Sequence, residues 1–393
     1  MVVTPRDAAS WKLMYVSDLE LRLSGGGSYS VNWHAFDQLG KRFAVQYAGP
    51  LVPEPPWIEQ TESRIRRRVL KIAGRFAYFS PATLDRNARL AEAHFTPGND
   101  AVVFRSATRW CRCRPRIPYF IYLDAVFHTF FHNTFDAQDF LAADVERIWK
   151  EEAAFLEGAA GVFFESSWGL DQARAAYNLR GDHYFAPGRG GAIEPPARDS
   201  WTGATRSLVT VAMNFHQKGG DLVLEAYKLL LPRFPHLTWH VIGAPPEGDW
   251  RSLGGISHEG VLEPDDTHDR SRLARLLSDA FLIVHPTRED TSPLVLTEAA
   301  YFGCPAVSVN LFAIPELVAN GETGVLLDSP VTPQAIASAI ADLLTDDSRY
   351  GTMRREARSH SLQRFSWDAV GSFICDRIDE RLGAAGESSS PPA

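Results

Sequence analysis

Twice along this chain, short apolar runs that suit strands buried on both faces alternate with longer amphipathic segments that suit helices. The first series opens with "KLMYVSD" (12–18), a glycine-rich loop, a helix from about Tyr29 to Leu39 and the strand "FAVQYAG". "AVVFRS" and "YFIYLD" read as strands, "AADVERIWKEEAAFLEGA" as a helix, "GVFFESS" as a strand and "WGLDQARAAYNL" as a helix. The Gly- and Pro-dense stretch 186–206 interrupts this pattern and reads as a linker. The alternation then restarts with the strand "SLVTVAM", the helix "GGDLVLEAYKLLLPRF", the strand "LTWHVIGA", the helix "DRSRLARLLSDA" and the strand "FLIVHP". A helix over 293–302, the strands "PAVSV" and "GVLLD", the helix "PQAIASAIADLLTD" and a last amphipathic helix in "RFSWDAVGSFICDRIDERL" complete it. Two such series predict an α/β chain of two Rossmann-like, doubly wound domains facing across a cleft, where a ligand is expected. The expected divisions are 1–190, a linker at 191–205, 206–365, a helix at 366–383 and a disordered tail at 384–393.

Composition narrows the class. Hydrophobic residues make up 45% and charged residues 22%, enough for large cores. The longest apolar runs are far too short for a membrane-spanning helix, and "MVVTPRDAASWKLMYVSD" lacks the pattern of a secretory leader. Four cysteines without a paired pattern suit a reducing compartment, so the expected location is cytoplasmic. Cys111 and Cys113 are too close together, and too isolated, for a zinc site. The net charge is −8, yet residues 64–116 hold 13 basic and 3 acidic residues. This region reads either as a solvated helix face or as a surface for anionic lipid or a phosphorylated acceptor. Nucleic acid is disfavoured, because the balance is acidic and no recognition motif accompanies the patch.

Three places carry chemistry. Gly25, Gly26 and Gly27 follow the first strand and lead into a helix, where backbone N–H groups can approach a phosphate; an ordinary glycine turn fits the same residues. Lys218 stands between a strand and a helix, where an ammonium reaches a diphosphate at the mouth of a sheet or is simply solvated. In "REDTSPLVLTEAA" (288–300), Ser292 is a natural N-cap and Pro293 suits the first helical position. Leu294 and Val295 would then present N–H groups to a phosphate, with Thr291 and Ser292 beside them. Glu298 stands in an otherwise apolar helix and needs a polar partner: a ribose diol, or neighbouring backbone or an arginine.

Asp290-x7-Glu298 and its continuation "EAAYFGCPAVSVNLFAIPELVANGETGVLLD" resemble the carboxy-terminal signature of family 4 retaining glycosyltransferases with the GT-B fold. "KGGDLVLEAYKLLLPRFPHLTWHVIG", "RFSWDAV" and the triple glycine are similar to that family in matching order, most closely over 207–370. The resemblance implies a nucleotide-diphosphate sugar (UDP-, GDP- or ADP-linked) on the second domain, a hydroxyl acceptor on the first, and a last helix crossing back to the first. It implies that Glu298 holds the ribose, Asp290 stands near the donor sugar, Lys218 neutralises the diphosphate, and Gly26 and Gly27 approach the phosphate and acceptor. Asp124 falls where members carry a His or Asp close to the reacting centre. Neither a cofactor nor a metal is implied. The chain departs from the family at Asp290, where Glu is usual, and at Thr291, Ser292 and Pro293, which replace a glycine-rich turn. Met213 and Gln217 also stand where a basic residue before the lysine is common.

The resulting expectation is a retaining, metal-independent transferase of polysaccharide, glycolipid or glycoside synthesis. Its acceptor is lipid-linked or otherwise anionic, with peripheral contact to an anionic membrane through 64–116. A nucleotide-sugar epimerase, a phosphorylase and a catalytically degenerate nucleotide-sugar-binding module are the competing readings.

Overall fold

The computed structural model describes residues 2–3, 11–23, 26–52, 57–203 and 205–388. Gly25 of the glycine loop, Ala204 of the expected linker and 389–393 of the expected tail lie outside the described residues. The chain divides into two compact units. Unit 1 takes residues 1–22, 32–188 and 370–393; unit 2 takes 23–31 and 189–369.

From the N-terminus run β1 (Val2–Val3), β2 (Lys12–Val16), α1 (Gly27–Gly40), β3 (Ala44–Ala48), α2 (Trp57–Arg68), α3 (Pro81–Glu92) and β4 (Ala101–Arg105). β5 (Tyr119–Leu123), α4 (Phe127–Thr134), α5 (Ala142–Glu157), β6 (Gly161–Phe164), α6 (Ser167–Tyr177) and β7 (Tyr184–Phe185) follow. The sheet of unit 1 has the order β1-β3-β2-β4-β5-β6-β7, and every pairing except β1 with β3 is parallel. β2 therefore has β3 on one side and β4 on the other, and the winding reverses there. Local signals set the helix starts. Ser80 accepts from the Thr83 N–H with Pro81 in the first turn of α3, and Ser166 accepts from the Gly169 N–H at the head of α6.

Unit 2 runs through β8 (Ser207–Ala212), α7 (Gly220–Leu230), β9 (Thr238–Gly243), β10 (Ile256–Gly260), α8 (Thr267–Asp279), β11 (Ala280–His285) and α9 (Leu294–Tyr301). β12 (Ala306–Val309), α10 (Ile314–Leu317), β13 (Gly324–Leu327), α11 (Pro333–Thr345) and α12 (Asp347–Arg364) complete it, before α13 (Trp367–Ser388). Its sheet, β10-β9-β8-β11-β12-β13, is wholly parallel. Neighbouring residues on one strand serve opposite faces. Leu208 and Leu282 pack with Val223, Tyr227 and Ile340, while Val209 and Ile283 pack with Leu277 and Leu296. Both faces are covered, which is why these strands are apolar without alternation.

Three expectations change at their edges. α1 begins at Gly27 rather than Tyr29. α9 begins at Leu294, because Pro293 is still extended (ψ 118°) and occupies the N-cap position itself. α13 continues to Ser388, so 384–388 are helical where a tail was expected. From Val370 onward α13 belongs to unit 1. There Arg42 reaches Asp376 at 2.8 Å and Asp379 at 2.5 Å, and Gly371 lies so close to Gln38 that a Cβ would meet its Oε1 at 2.6 Å.

Candidate functional site

In an open parallel sheet, the strand ends beside the point where the winding reverses leave a crevice. In unit 2 that point lies between β8 and β11, the first strands of the two directions. The loop after β8 carries Lys218 and the loop after β11 carries Asp290, and the two side chains meet with Lys218 Nζ 2.5 Å from Asp290 Oδ2. Both are about a quarter exposed, so the pair is only partly desolvated.

The two loops are braced together. Arg288 forms a two-pronged pair with Asp221 at 2.8 and 2.9 Å, and its N–H donates to the Gln217 carbonyl at 2.9 Å. Gly219 is left-handed (φ +76°), and a Cβ there would fall 2.2 Å from the Pro286 carbonyl oxygen, so only glycine admits this approach. Thr287 Oγ1 accepts the N–H of Asp290 at 3.1 Å and donates to the Gln217 carbonyl. Arg288 thus contacts the lysine loop, but its guanidinium is committed to Asp221.

His285 ends β11 beneath the pair, fully buried, with Nε2 3.7 Å from Asp290 Oδ2, beyond hydrogen-bond length. Burial lowers its proton affinity below the ordinary 6.5 and outweighs the attraction of Asp290. Burial also pushes Asp290 upward, but His285 and Lys218 together hold its carboxyl far below the usual range. A pH dependence follows. A buried neutral imidazole contributes stability that is complete above the unfolded value of 6.5 and declines below it, where only the unfolded chain takes up a proton. Asp290 adds a loss only as the pH falls below 3.8. Urea midpoints between about pH 7.5 and 5.5 should therefore fall less steeply for His285→Asn than for the parent, by up to about 1.4 kcal/mol per pH unit.

Four residues beyond Asp290, α9 opens with Leu294 and Val295, whose N–H groups precede any intrahelical acceptor. Neither Pro293 nor Ser292 caps it, and Ser292 Oγ is buried without a hydrogen-bond partner. Thr291 is half-buried and its carbonyl accepts from the Ala313 N–H at 3.0 Å. The glycine loop reaches the same place. Residues 23–31 belong to unit 2, and a Cβ on Gly27 would stand 2.9 Å from Leu294 Cδ1. Gly26 has φ +103° in open space, so its glycine answers to backbone conformation and Gly27 to close approach.

Glu298 is 7% exposed, and its Oε1 accepts from the Ala192 N–H at 2.7 Å. Burial raises its proton affinity, against the pull of that N–H and of Arg189. Backbone, one of the partners weighed from sequence, is thus in contact with it. The expected linker is in fact built into unit 2: Tyr301 Oη accepts from the Gly191 N–H at 2.9 Å, and Trp367 Nε1 donates to the Gly191 carbonyl at 2.7 Å. Asp124 lies in unit 1, exposed just past β5, with Oδ1 accepting from the Ala125 N–H at 2.7 Å. The structure thus brings together Lys218, Asp290, the head of α9 and Gly27 within unit 2, and places Asp124 in the other unit. His285, Arg288 and Trp367 escaped the sequence reading, although a histidine closing an apolar strand was a visible signal.

The basic region 64–116 does not form a single charged surface. Arg105 is buried on Glu165 at 2.5 Å, Arg109 pairs with Asp18 at 3.0 Å, and Arg112 pairs with Glu151 and Asp85. Exposed cations without a recorded ion pair among the described residues include Arg64, Arg68 and Lys71. All four cysteines are free and buried.

Residues 202–360 match the profile of the family Glycosyl transferases group 1. The D-inositol 3-phosphate glycosyltransferase of Corynebacterium glutamicum (strain R) is 27% identical over 173 residues, covering 42% of this chain and 41% of that protein. The glycogen synthase of Mycobacterium tuberculosis (strain CDC 1551 / Oshkosh) is 28% identical over 184 residues, 45% of this chain and 42% of that protein. The alignment thus spans about two-fifths of these relatives' length. Among solved structures, sucrose-phosphate synthase from Thermosynechococcus elongatus superposes with a TM-score of 0.66 at 16% identity, over 95% of this chain and 100% of that one. HepE of Anabaena, solved in complex with UDP, gives 0.62 at 14% identity, over 94% and 100%. These likenesses establish the GT-B fold. Over 202–360, which lies within unit 2, the chain is similar to the family Glycosyl transferases group 1.

Proposed function

We propose that this chain is a retaining, metal-independent glycosyltransferase that moves a sugar from a nucleotide-diphosphate donor to a hydroxyl acceptor. The observation that carries the reading is the meeting of Lys218 with Asp290 at the switch point of the unit 2 sheet, just ahead of the uncapped α9. In this reading the diphosphate takes the Lys218 ammonium, the Leu294 and Val295 N–H groups and the hydroxyls of Thr291 and Ser292, whose orphaned Oγ gains a partner. The Gly26–Gly27 turn lets backbone approach the phosphates. Glu298 keeps acceptor capacity beyond the Ala192 N–H, since a carboxylate has about four lone-pair sites. It is assigned the ribose, Asp290 the donor sugar, and Asp124 the acceptor side.

When the bond from anomeric carbon to phosphate oxygen breaks, its electron pair goes to the diphosphate, and Lys218 with the α9 dipole stabilises that charge. The acceptor oxygen bonds to the anomeric carbon on the face the leaving group departs while the departing oxygen takes its proton, which preserves anomeric configuration. Fixed dipoles and one lysine supply the charge that a divalent ion supplies elsewhere, so turnover should persist in chelator. The UDP bound by HepE makes UDP-sugars the first donors to try, with GDP- and ADP-sugars beside them. The acceptor class is lipid-linked or otherwise anionic, and the protein works in the cytoplasm at the inner face of a membrane. No helix of the described residues is long and apolar enough to cross one.

Release of free nucleotide diphosphate from a donor panel, with thermal shifts by UDP, GDP and ADP, tests the reading. Glu298→Ala should raise the donor KM at least about tenfold. Glu298→Gln keeps an oxygen for the Ala192 N–H and controls for folding. Absence of both thermal shift and release across the panel would overturn the assignment.

A further inference from the structure

The helix α2 is folded inside out. Its inward side is polar: Ser63 is buried and donates to the Arg75 carbonyl at 2.6 Å, and the Arg67 guanidinium lies over the Phe140 ring at 4.8 Å. Its outward side carries Trp57 (73% exposed), Ile58 and Ile65, and the turn beyond it adds Val69 (70% exposed), Leu70 and Ile72. Seven of the fourteen exposed large apolar side chains among the described residues fall between Val52 and Ile72. They are therefore a patch and not the scatter that any soluble surface shows. At 100° per residue Trp57, Ile58 and Ile65 share one face, with Arg68 within it and Arg64 at its edge beside Trp57. A shallow groove of about 550 Å³ runs along this face between Trp57, Ile58, Ile65 and Leu70, with Glu62 and Arg66 both in its lining. A globular helix normally buries the stripe that this one exposes.

We propose that the outer face of α2 and its following turn, residues 57–72, is a docking surface for an anionic lipid bilayer. This gives the peripheral placement proposed above its residues and rests on that reading, but its test does not depend on the transfer reaction. Two features choose the occupant. The segment holds five basic residues and two acidic ones, and Arg64, Arg68 and Lys71 are exposed beside the apolar side chains. Long cationic side chains reach lipid phosphates while their stems lie along the acyl boundary, and an indole seats well at that depth. A second copy of the chain is disfavoured, since a two-fold contact through this face would set like charges against each other. The narrowing from 64–116 to 57–72 follows the concentration of exposed apolar side chains there, while Arg105, Arg109 and Arg112 are committed to carboxylates.

Co-sedimentation of the full chain with vesicles tests this, using phosphatidylcholine alone against phosphatidylcholine with about one-third phosphatidylglycerol. Binding is expected only to the anionic vesicles at low salt, and it should fade as salt shortens the Debye length. Trp57→Ser with Ile58→Ser should weaken partitioning more than about tenfold, as should Arg64→Glu with Arg68→Glu. These side chains are exposed, so thermal unfolding should be unchanged. Nucleotide release from a soluble donor without lipid is read separately, so failure of docking and failure of the transferase reading are distinguishable. The proposal is overturned if the parent stays in the supernatant with anionic vesicles at low salt, or if both double variants bind as it does. It is also overturned if the apolar variant instead disperses a dimer seen by sedimentation velocity.

Discussion

Replacing Lys218 by alanine is expected to lower kcat/KM for the nucleotide sugar by about 10²–10³, mostly through kcat. An ammonium that meets a diphosphate before and after bond breaking contributes most where the charge is greatest, which is on the departing group. Uniform binding of donor and transition state would appear in KM alone. The partner on hand is Asp290, 2.5 Å away and otherwise faced by the neutral His285 at 3.7 Å. Loss of Lys218 therefore also removes one of the two groups that hold the Asp290 carboxyl low. The acid limb of the pH–rate profile should move upward in the variant, a change that a merely structural lysine would not produce. Lys218→Arg keeps the charge but places a planar fork where a point charge sits, so only part of the rate should return. Steady-state kinetics on the parent, both variants and Asp290→Asn decide the matter. A Lys218→Ala enzyme within threefold of the parent at every pH would remove the diphosphate from this end of the sheet.

How much of this site could be read in the sequence depends on the range of each interaction. The strands were legible because burial on both faces leaves unbroken apolar runs, as in "YFIYL" of β5 and "AFLIVH" of β11. β10, with the half-exposed "ISHEG", offered no such run and was missed. So was α12, eighteen residues long, whose buried stripe is Tyr350, Met353, Arg354, Ala357 and Ser361. The helical spacing is present there, but an arginine and a serine occupy places where apolar residues carry the signal. The residue types at the ends of β8 and β11 pointed to phosphate chemistry, yet the contact between Lys218 and Asp290 spans 72 residues. The partner of Glu298 was illegible for a stronger reason. It is a backbone N–H, which almost every residue carries, brought from 106 positions away by the Gly190–Ala192 turn under Trp367. The start of α9 shifted by one residue because Pro293 suits an extended cap as well as a first helical position.

The buried arginine that hid α12 should also prove the costliest side chain to remove from unit 2. Arg354 is 3% exposed; Nε and Nη2 hold Asp199 at 2.6 and 2.8 Å, Nη2 donates to the Phe302 carbonyl at 2.7 Å, and Nη1 donates to the Ala280 carbonyl at 3.1 Å and to Tyr350 Oη at 3.2 Å. Its guanidinium also lies over the Trp201 ring at 4.8 Å. One planar group thus pins the 189–203 segment to the start of β11 and to the end of α9, the two elements that frame the site. Arg354→Ala strands the Ala280 and Phe302 carbonyls in the interior and should destabilise unit 2 by about 3–5 kcal/mol. The lower end is favoured, because the Asp199 side chain is 30% exposed and recovers water. Lysine cannot substitute, having three donors on a point where five are fanned in a plane. Removing Asp199 instead leaves the cation with its three other acceptors, so Asp199→Ala should cost less than Arg354→Ala. Hydrogen exchange in urea, read on peptides of 189–203 and 280–302, gives the comparison. The 189–203 peptides should lose protection first in both variants, and donor affinity should fall with them, since Ala192 is the residue that holds Glu298 in place. Equal protection in the parent and Arg354→Ala would mean that the segment is held by Trp367 and Tyr301 alone.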